Sequence, residues 1–346
     1  MNTEVQNKNY ISPWYQFLNM GISSSVFIFA LFYAIQNDVV TDQKPEFYPI
    51  TPQKISEFGG NPGIVKVGLS IKDFPEFDFN KNIFIFAGQV SFEFDPSLIS
   101  LETLGKFYFE KGEILYLSPP TTKLIQGKLF VKYDIRVKFT TNLNYEYFPL
   151  DNHKVYLVFS NLSLSPNEVI FESSYNRFIV SDKIIISGWI SPNRTVKSGY
   201  SLSALDKADS TKTIYTPILM FALEYQRMTL RNAFTIFLPL LLLFYITTFC
   251  FSLDPEKYFR AIISLNAASI SSLLAYRFVI ENMSPKVGYF MLSDYVFFLF
   301  LVSVCLTFVL SSIFMFFDEW YKRIICSFLH LVVMAGIIYL FFFWMI

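Results

Sequence analysis

Ser264, Ala268, Ser271 and Ala275 recur at intervals of four, three and four residues along "SLNAASISSLLA". At about 100° per residue they share one helical face, which Ala267 joins and Phe278 extends. Small and hydroxyl-bearing side chains in an apolar stretch serve one of two ends. They let helices approach closely, or they line an aqueous passage where hydroxyls replace part of an ion's hydration shell. Charge stands at both ends of the stripe, Arg260 at one and Arg277 with Glu281 at the other. The chain offers no paired-carboxylate, Ser-His-Asp or Cys-His set and no glycine-rich phosphate loop. We therefore expect no enzyme, no cofactor and no metal site. Asp73, Glu76 and Asp78 lack the ligand spacing of a calcium loop. His153 and His330, far apart in sequence, read as structural.

A stripe of this kind needs a bilayer and a scaffold. The chain has 346 residues, 53% of them hydrophobic, and zero formal net charge. That balance points to a membrane class and gives no reason to expect nucleic acid. Cys250, Cys305 and Cys326 all lie in apolar segments, which excludes a disulfide framework. A bilayer needs roughly 20 apolar residues per helix. Four such segments crowd the last third, at 232–253, 259–280, 289–317 and 324–346, within an expected transmembrane domain 229–346. A fifth, at 17–37 behind a polar tail 1–16, reads as a signal peptide or an anchor helix.

Residues 45–228 read as strands. In "KLFVKYDIRVKF", Val131, Tyr133, Ile135 and Val137 alternate with Lys132, Asp134, Arg136 and Lys138. "IFIFAGQVSFEFD", "HKVYLVFSNLSL", "RFIVSDKIIISGWI" and "PILMFALEYQRM" are further candidates, separated by turn signals such as "DFNKN" and "SPNRT". Many short strands without helical periods imply a β-sandwich or a barrel, so the expected fold class is α+β: an N-terminal strand domain followed by a four-helix transmembrane bundle. Lys257, Arg260, Lys322 and Arg323 lie in two short loops, and the loop "ENMSPKVG" has only Lys286. The positive-inside rule places the first two loops in the cytoplasm and the strand domain outside.

Taken together, these features resemble the pentameric ligand-gated ion channels, the superfamily of the Cys-loop receptors. "YFPLDNHK" is similar to the family's Phe-Pro-Phe-Asp signature at Phe148, Pro149 and Asp151, with Leu150 replacing the second Phe. "RMTLRNAFTIFLP" matches the pre-membrane arginine as Arg227 and the first-helix proline, a helix kink, as Pro239. "SPKVGYFMLSDY" resembles the segment joining the second and third helices, at Pro285, Lys286 and Asp294. The two cysteines that bracket the signature loop in animal receptors are absent, and so is the long insert before the last helix; both absences resemble prokaryotic members.

The resemblance implies five identical subunits in an inner cell membrane, each giving its second helix to a central pore. Ser264, Ala268, Ser271, Ala275 and Phe278 would then line water, with Ile263, Ile270, Leu273 and Leu274 against protein. Ser271 stands where members place a large aliphatic, which moves the expected gate outward toward Phe278. Five Glu281 at the outer mouth would attract cations and five Arg260 at the inner mouth would repel them; the "SPK" match beside Glu281 tips the expectation to cations. Domain coupling would run through Asp151 with Arg227, through Pro149, Pro285 and Lys286, and through Asp78 and Lys81 in a strand turn. The agonist, a small molecule or protons, would bind among aromatics: Tyr200 and Tyr215 flanking the hairpin "SLSALDKADSTKTI", with Tyr175 and Phe94 as further candidates. The alternative is a membrane-anchored extracellular β-sandwich that senses a ligand or partner and conducts nothing.

Overall fold

A computed structural model describes residues 14–36, 42–78, 81–186, 188–206, 209–313 and 317–344. Most of the expected polar tail, and residues 207–208 of the expected capping hairpin, lie outside that set. The chain opens on a helix, α1 (Trp14–Gln36), which precedes every strand. This corrects the expected order of a β-sandwich first and four helices after it. The chain divides into two compact units, one of strands and one of helices.

The strand unit comprises 40–144 and 152–227. Its elements are β1 (Tyr48–Pro49), α2 (Pro52–Glu57), β2 (Gly63–Asp78), β3 (Ile83–Phe94), α3 (Leu101–Gly105), β4 (Tyr108–Phe109), β5 (Gly112–Leu117), β6 (Thr121–Ile125), β7 (Lys128–Thr140), β8 (His153–Ser160), β9 (Val169–Glu172), β10 (Phe178–Val180), β11 (Trp189–Asp206) and β12 (Asp209–Arg227). One sheet runs β1-β11-β12-β8-β4; the other runs β10-β2-β3-β7-β5, with β6 on β7 and β9 on β2. The alternation read in β7 is realised: Val131, Tyr133, Ile135 and Val137 are buried while Lys132, Asp134 and Arg136 are exposed. Aromatic rings join the two sheets. Phe92 of β3 meets Phe159 of β8 at 5.8 Å, and Phe159 meets Phe171 of β9 at 5.2 Å. The stretch "RFIVSDKIIISGWI" is not one strand. β10 ends at Val180, and the chain turns before β11 through Gly188, whose φ of 83° suits a residue without a Cβ.

Gly88 of β3 lies against Ser70 and Ile71 of β2. A Cβ there would lie 2.1 Å from the Ser70 carbonyl oxygen, beside the register shift at Ile71. Backbone cannot yield as a side-chain tip can. Gly88→Ala should therefore destabilise the strand unit by about 2–3 kcal/mol, measured as a lower denaturant midpoint of its tryptophan emission.

The helical unit holds α1, α4 (Thr229–Phe249), α5 (Pro255–Met283), α6 (Leu292–Ile313) and α7 (Glu319–Ile338), which continues as a wider helical turn Tyr339–Trp344. These five are long and apolar enough to cross a bilayer, which fits a membrane protein. The expected four-helix bundle is thus five helices, and polar contacts explain why. Gln16 and Ser23 of α1 are 0% and 1% exposed. The Gln16 amide donates to the Thr248 carbonyl at 3.1 Å, and the Cys326 thiol donates to Gln16 at 3.1 Å. Ser23 Oγ lies 2.9 Å from the Tyr245 hydroxyl and 3.1 Å from His330 Nδ1. Phe27 meets Phe237 and Phe341 edge-on, and Tyr33 stacks on Phe342 at 4.0 Å. Partners ascend along α7 and descend along α4, so α1 runs parallel to the first and antiparallel to the second. The helical unit also takes in Tyr145–Asp151, a segment expected in the strand domain.

Candidate functional site

α5 begins where Asp254 accepts the Glu256 N–H at 3.0 Å and Pro255 supplies a preset φ. Tyr258, one turn in, departs from helical geometry at φ −117° and ψ 20°. The helix buries Ile262, Asn266, Ser269, Leu273 and Ile280. On the other side Ser264, Ala268, Ser271, Ala275 and Phe278 are all uncovered within the chain, Phe278 at 69%. The polar residues of the quoted stretch therefore separate. Asn266 donates to Ser311 of α6 at 3.1 Å and so ties the two helices, while the buried Ser269 bonds back to the Leu265 carbonyl of its own helix. Ile263 and Ile270 are half-buried flanks, while Leu274 is exposed. Arg260 and Glu281 are exposed at opposite ends of the helix.

The far end of α5 meets a junction built on the first turn of α6. A helix start leaves backbone N–H groups without partners in the helix. Here Leu292 N–H donates to the Glu146 carbonyl at 2.8 Å and Ser293 N–H to the Phe148 carbonyl at 3.1 Å. The Tyr289 hydroxyl accepts the Tyr145 N–H at 2.9 Å. The signature-like segment, with its cis Phe148–Pro149 bond, is thus fastened to α6 through backbone. Asp294, 4% exposed, accepts the Met291 N–H at 2.8 Å and pairs with Arg277 of α5. Arg277 also reaches Glu281 at 3.3 Å and lies over the Phe297 ring at 5.4 Å. Arg277, Glu281, Lys286 and Asp294 line a cleft of about 490 Å³. Glu281 is therefore half of an ion pair, which reduces the cation-attracting field expected of it. Pro285 is buried and Lys286 exposed in this corner.

α4 continues through Pro239, which has no N–H to give the carbonyl of Thr235 one turn earlier. The Tyr276 hydroxyl of α5 donates to that carbonyl instead. The proline read as a kink is thereby an attachment point for α5.

In the strand unit, Asp78 and Lys81 pair across their turn at 3.2 Å. The Arg227 backbone N–H donates to Asn152 at 3.0 Å, and its guanidinium lies 4.4 Å over the Trp189 ring. Asp151, in the helical unit, is buried. His153, one of the two histidines read as structural, is fully buried against Asp42 at 3.2 Å. The four candidate ligand aromatics separate. Phe94 is 2% exposed, inside the sandwich. Tyr175 packs under Arg194 at 4.5 Å and accepts a hydrogen bond from it at 2.9 Å. Tyr200 and Tyr215 come together, centroids 5.8 Å apart. Phe58 stands edge-on to both at 5.4 Å, and Tyr48 stacks on Tyr200 at 5.5 Å.

Sequence reasoning missed Arg277 with Asp294, Tyr276 as the partner of Thr235, and Phe58 as a third ring. The Arg277–Glu281 spacing was visible and drew attention to the weaker of the two carboxylate partners. Among the described residues, no cluster of three His, Cys, Asp or Glu side chains is placed to hold a metal ion. No known protein-family model matches the chain, and neither does any curated protein.

Proposed function

We propose that the chain is one subunit of a ring of five identical copies that forms a ligand-gated ion channel, with α5 lining the pore. One observation carries the reading. The small stripe Ser264, Ala268, Ser271 and Ala275 is the side of α5 that its own bundle leaves uncovered, while the asparagine and the remaining buried serine turn inward. A helix that needed close packing within its chain would bury its small residues.

In this reading Arg260 and Glu281 ring the two mouths, with Glu281 tempered by Arg277. The narrowest apolar ring is Phe278, where a pore closes by dewetting. The strand unit lies outside the cell membrane and the loops at 254–260 and 318–323 lie in the cytoplasm. An agonist is held at Tyr200 and Tyr215. The signal reaches α5 through Tyr145–Asp151, the first turn of α6 and the Asp294–Arg277 pair.

Cysteines placed singly at Ser264, Ala268, Ser271 and Ala275 test this. In the assembled complex they should react with water-soluble thiol reagents, and Ser271→Leu should lower currents in reconstituted bilayers by about tenfold. Inert cysteines in a pentamer of normal size, with no current under any ion gradient, would leave the stripe as a helix–helix contact and the protein as an anchored sensor. Ion substitution on the same currents gives the sign of the permeant ion.

A further inference from the structure

Among the described residues the most exposed large apolar side chain is Ile185, at 90%. It stands in the turn segment 181–186 between β10 and β11. Backbone bonds set the shape of that segment. Ser181 N–H donates to the Ile71 carbonyl at 3.0 Å, Ile184 N–H to the Ser181 carbonyl at 3.1 Å and Trp189 N–H to the Ile186 carbonyl at 3.1 Å. Ile184 and Ile186 are half-buried, so the turn holds one aliphatic side chain outward on an aliphatic base. Ile190 of β11 is 49% exposed and shares with Ile185, Trp189 and Tyr225 the lining of a cavity of about 210 Å³. A lone exposed isoleucine is ordinary. Its place in the fold makes this one informative.

Trp189 pairs with Arg227 and Ile190 with Gln226. Arg227 ends β12, and α4, long and apolar enough to cross a bilayer, starts at Thr229. An extended chain covers at most about 3.6 Å per residue, so Arg227 lies close to the point where α4 begins. Phe77 of β2 meets Tyr225 at 5.1 Å, and Asp73, Phe74 and Phe77 share with residues 184–186 a second hollow of about 390 Å³. The turn therefore belongs to the end of the strand unit from which the chain leaves for α4. Its two charged residues, Asp182 and Lys183, are both exposed and cancel. What remains is an apolar tip, and the apolar medium at that end is the bilayer.

We propose that the turn 181–186 dips into the boundary of the bilayer on the strand unit's side, with Ile185 among the acyl chains and Ile190 beside it. Trp189, with Arg227 over its ring at 4.4 Å, stands at headgroup level, the depth at which tryptophan is enriched. The partner is lipid hydrocarbon, and because the charges of the turn balance, a zwitterionic lipid suffices. The contact gives the strand unit a hold on the membrane besides the chain at residue 228. It needs α4 in a bilayer and neither a pore nor a ring of five.

The test is a nitroxide on Ile185→Cys in the full-length chain. Cys305→Ala is added, since Cys250 and Cys326 are buried and Cys305 is only half-buried. So exposed a residue can be replaced without disturbing the fold. In phosphatidylcholine nanodiscs, relaxation of the label by oxygen, which concentrates among acyl chains, is compared with relaxation by a nickel chelate, which stays in water. Leu98→Cys is the control: Leu98 is 64% exposed and lies beyond Phe94, at the opposite end of β3 from Ile83. The oxygen-to-nickel ratio at position 185 should be severalfold above that at position 98. Equal ratios put the turn in water and overturn the proposal. A label at position 185 shielded from both reagents is covered by protein, such as a neighbouring copy, and overturns it as well. No current is measured, so the channel reading stands or falls separately.

Discussion

Arg277→Met destabilises the helical unit by about 2–4 kcal/mol, because it strands the Asp294 carboxylate, whose side chain is only 4% exposed. Arg277 itself is 25% exposed, which puts the expected cost below that of a fully buried pair. Asp294→Asn costs less: the amide oxygen still accepts the Met291 N–H, and the Arg277 left behind retains Glu281. The double change Arg277→Met with Asp294→Leu recovers most of the loss, since an apolar pair needs no solvation. Thermal unfolding of the detergent-solubilised protein, followed by circular dichroism, measures all three. A single Arg277→Met with an unchanged midpoint would show that the pair contributes nothing to the fold.

The second large effect concerns α1. Protein extracted from membranes should retain residues 14–36 by intact mass, and removal of 1–36 should abolish recovery of a monodisperse complex. Without α1, Tyr245 and His330 lose Ser23, and the Thr248 carbonyl and Cys326 lose Gln16. Apolar faces around Phe237 and Phe341 open at the same time. The single change Ser23→Val isolates the polar part. Interhelical hydrogen bonds in membranes are worth on the order of 1 kcal/mol, so its midpoint should fall by a few degrees while the complex stays intact. Recovery of a stable, normally sized particle from the truncated chain would sink the assignment of α1 to the bundle.

What the sequence made legible follows from period. β7 could be read residue by residue because one of its faces is buried and the other solvated, and the face of α5 because small residues repeat at helical spacing. β11 was read only in part, as one arm of the hairpin "SLSALDKADSTKTI". Tyr200, Leu202 and Ala204 alternate with Ser201 and Ser203, and the strand extends back to Trp189 because β12 pairs with it. Helix ends moved as well. The segment expected at 259–280 runs Pro255–Met283, since Asp254 caps a polar first turn that hydropathy discounts. The α1 segment was read as a leader or anchor because an apolar run with weak flanking charge says nothing of what its Gln and Ser will meet. Their partners lie in α4 and α7. The main partner of Arg277 was invisible for the same reason: the choice between Glu281 on its own helix and Asp294 on the next is made by tertiary packing.

The bonds of α1 also set a timetable. Gln16 and Cys326 are 310 positions apart, and Ser23 and His330 are 307 apart. At ribosomal speeds of about 5–20 residues per second, α1 waits on the order of 15–60 s for α7. Thr248 and Tyr245 arrive earlier with α4, and the Ser23 hydroxyl has the Asn19 carbonyl of its own helix at 2.8 Å. His330 and Cys326 come only with α7. α1 is therefore fully seated only when α7 arrives, and biogenesis must shelter its polar face until then.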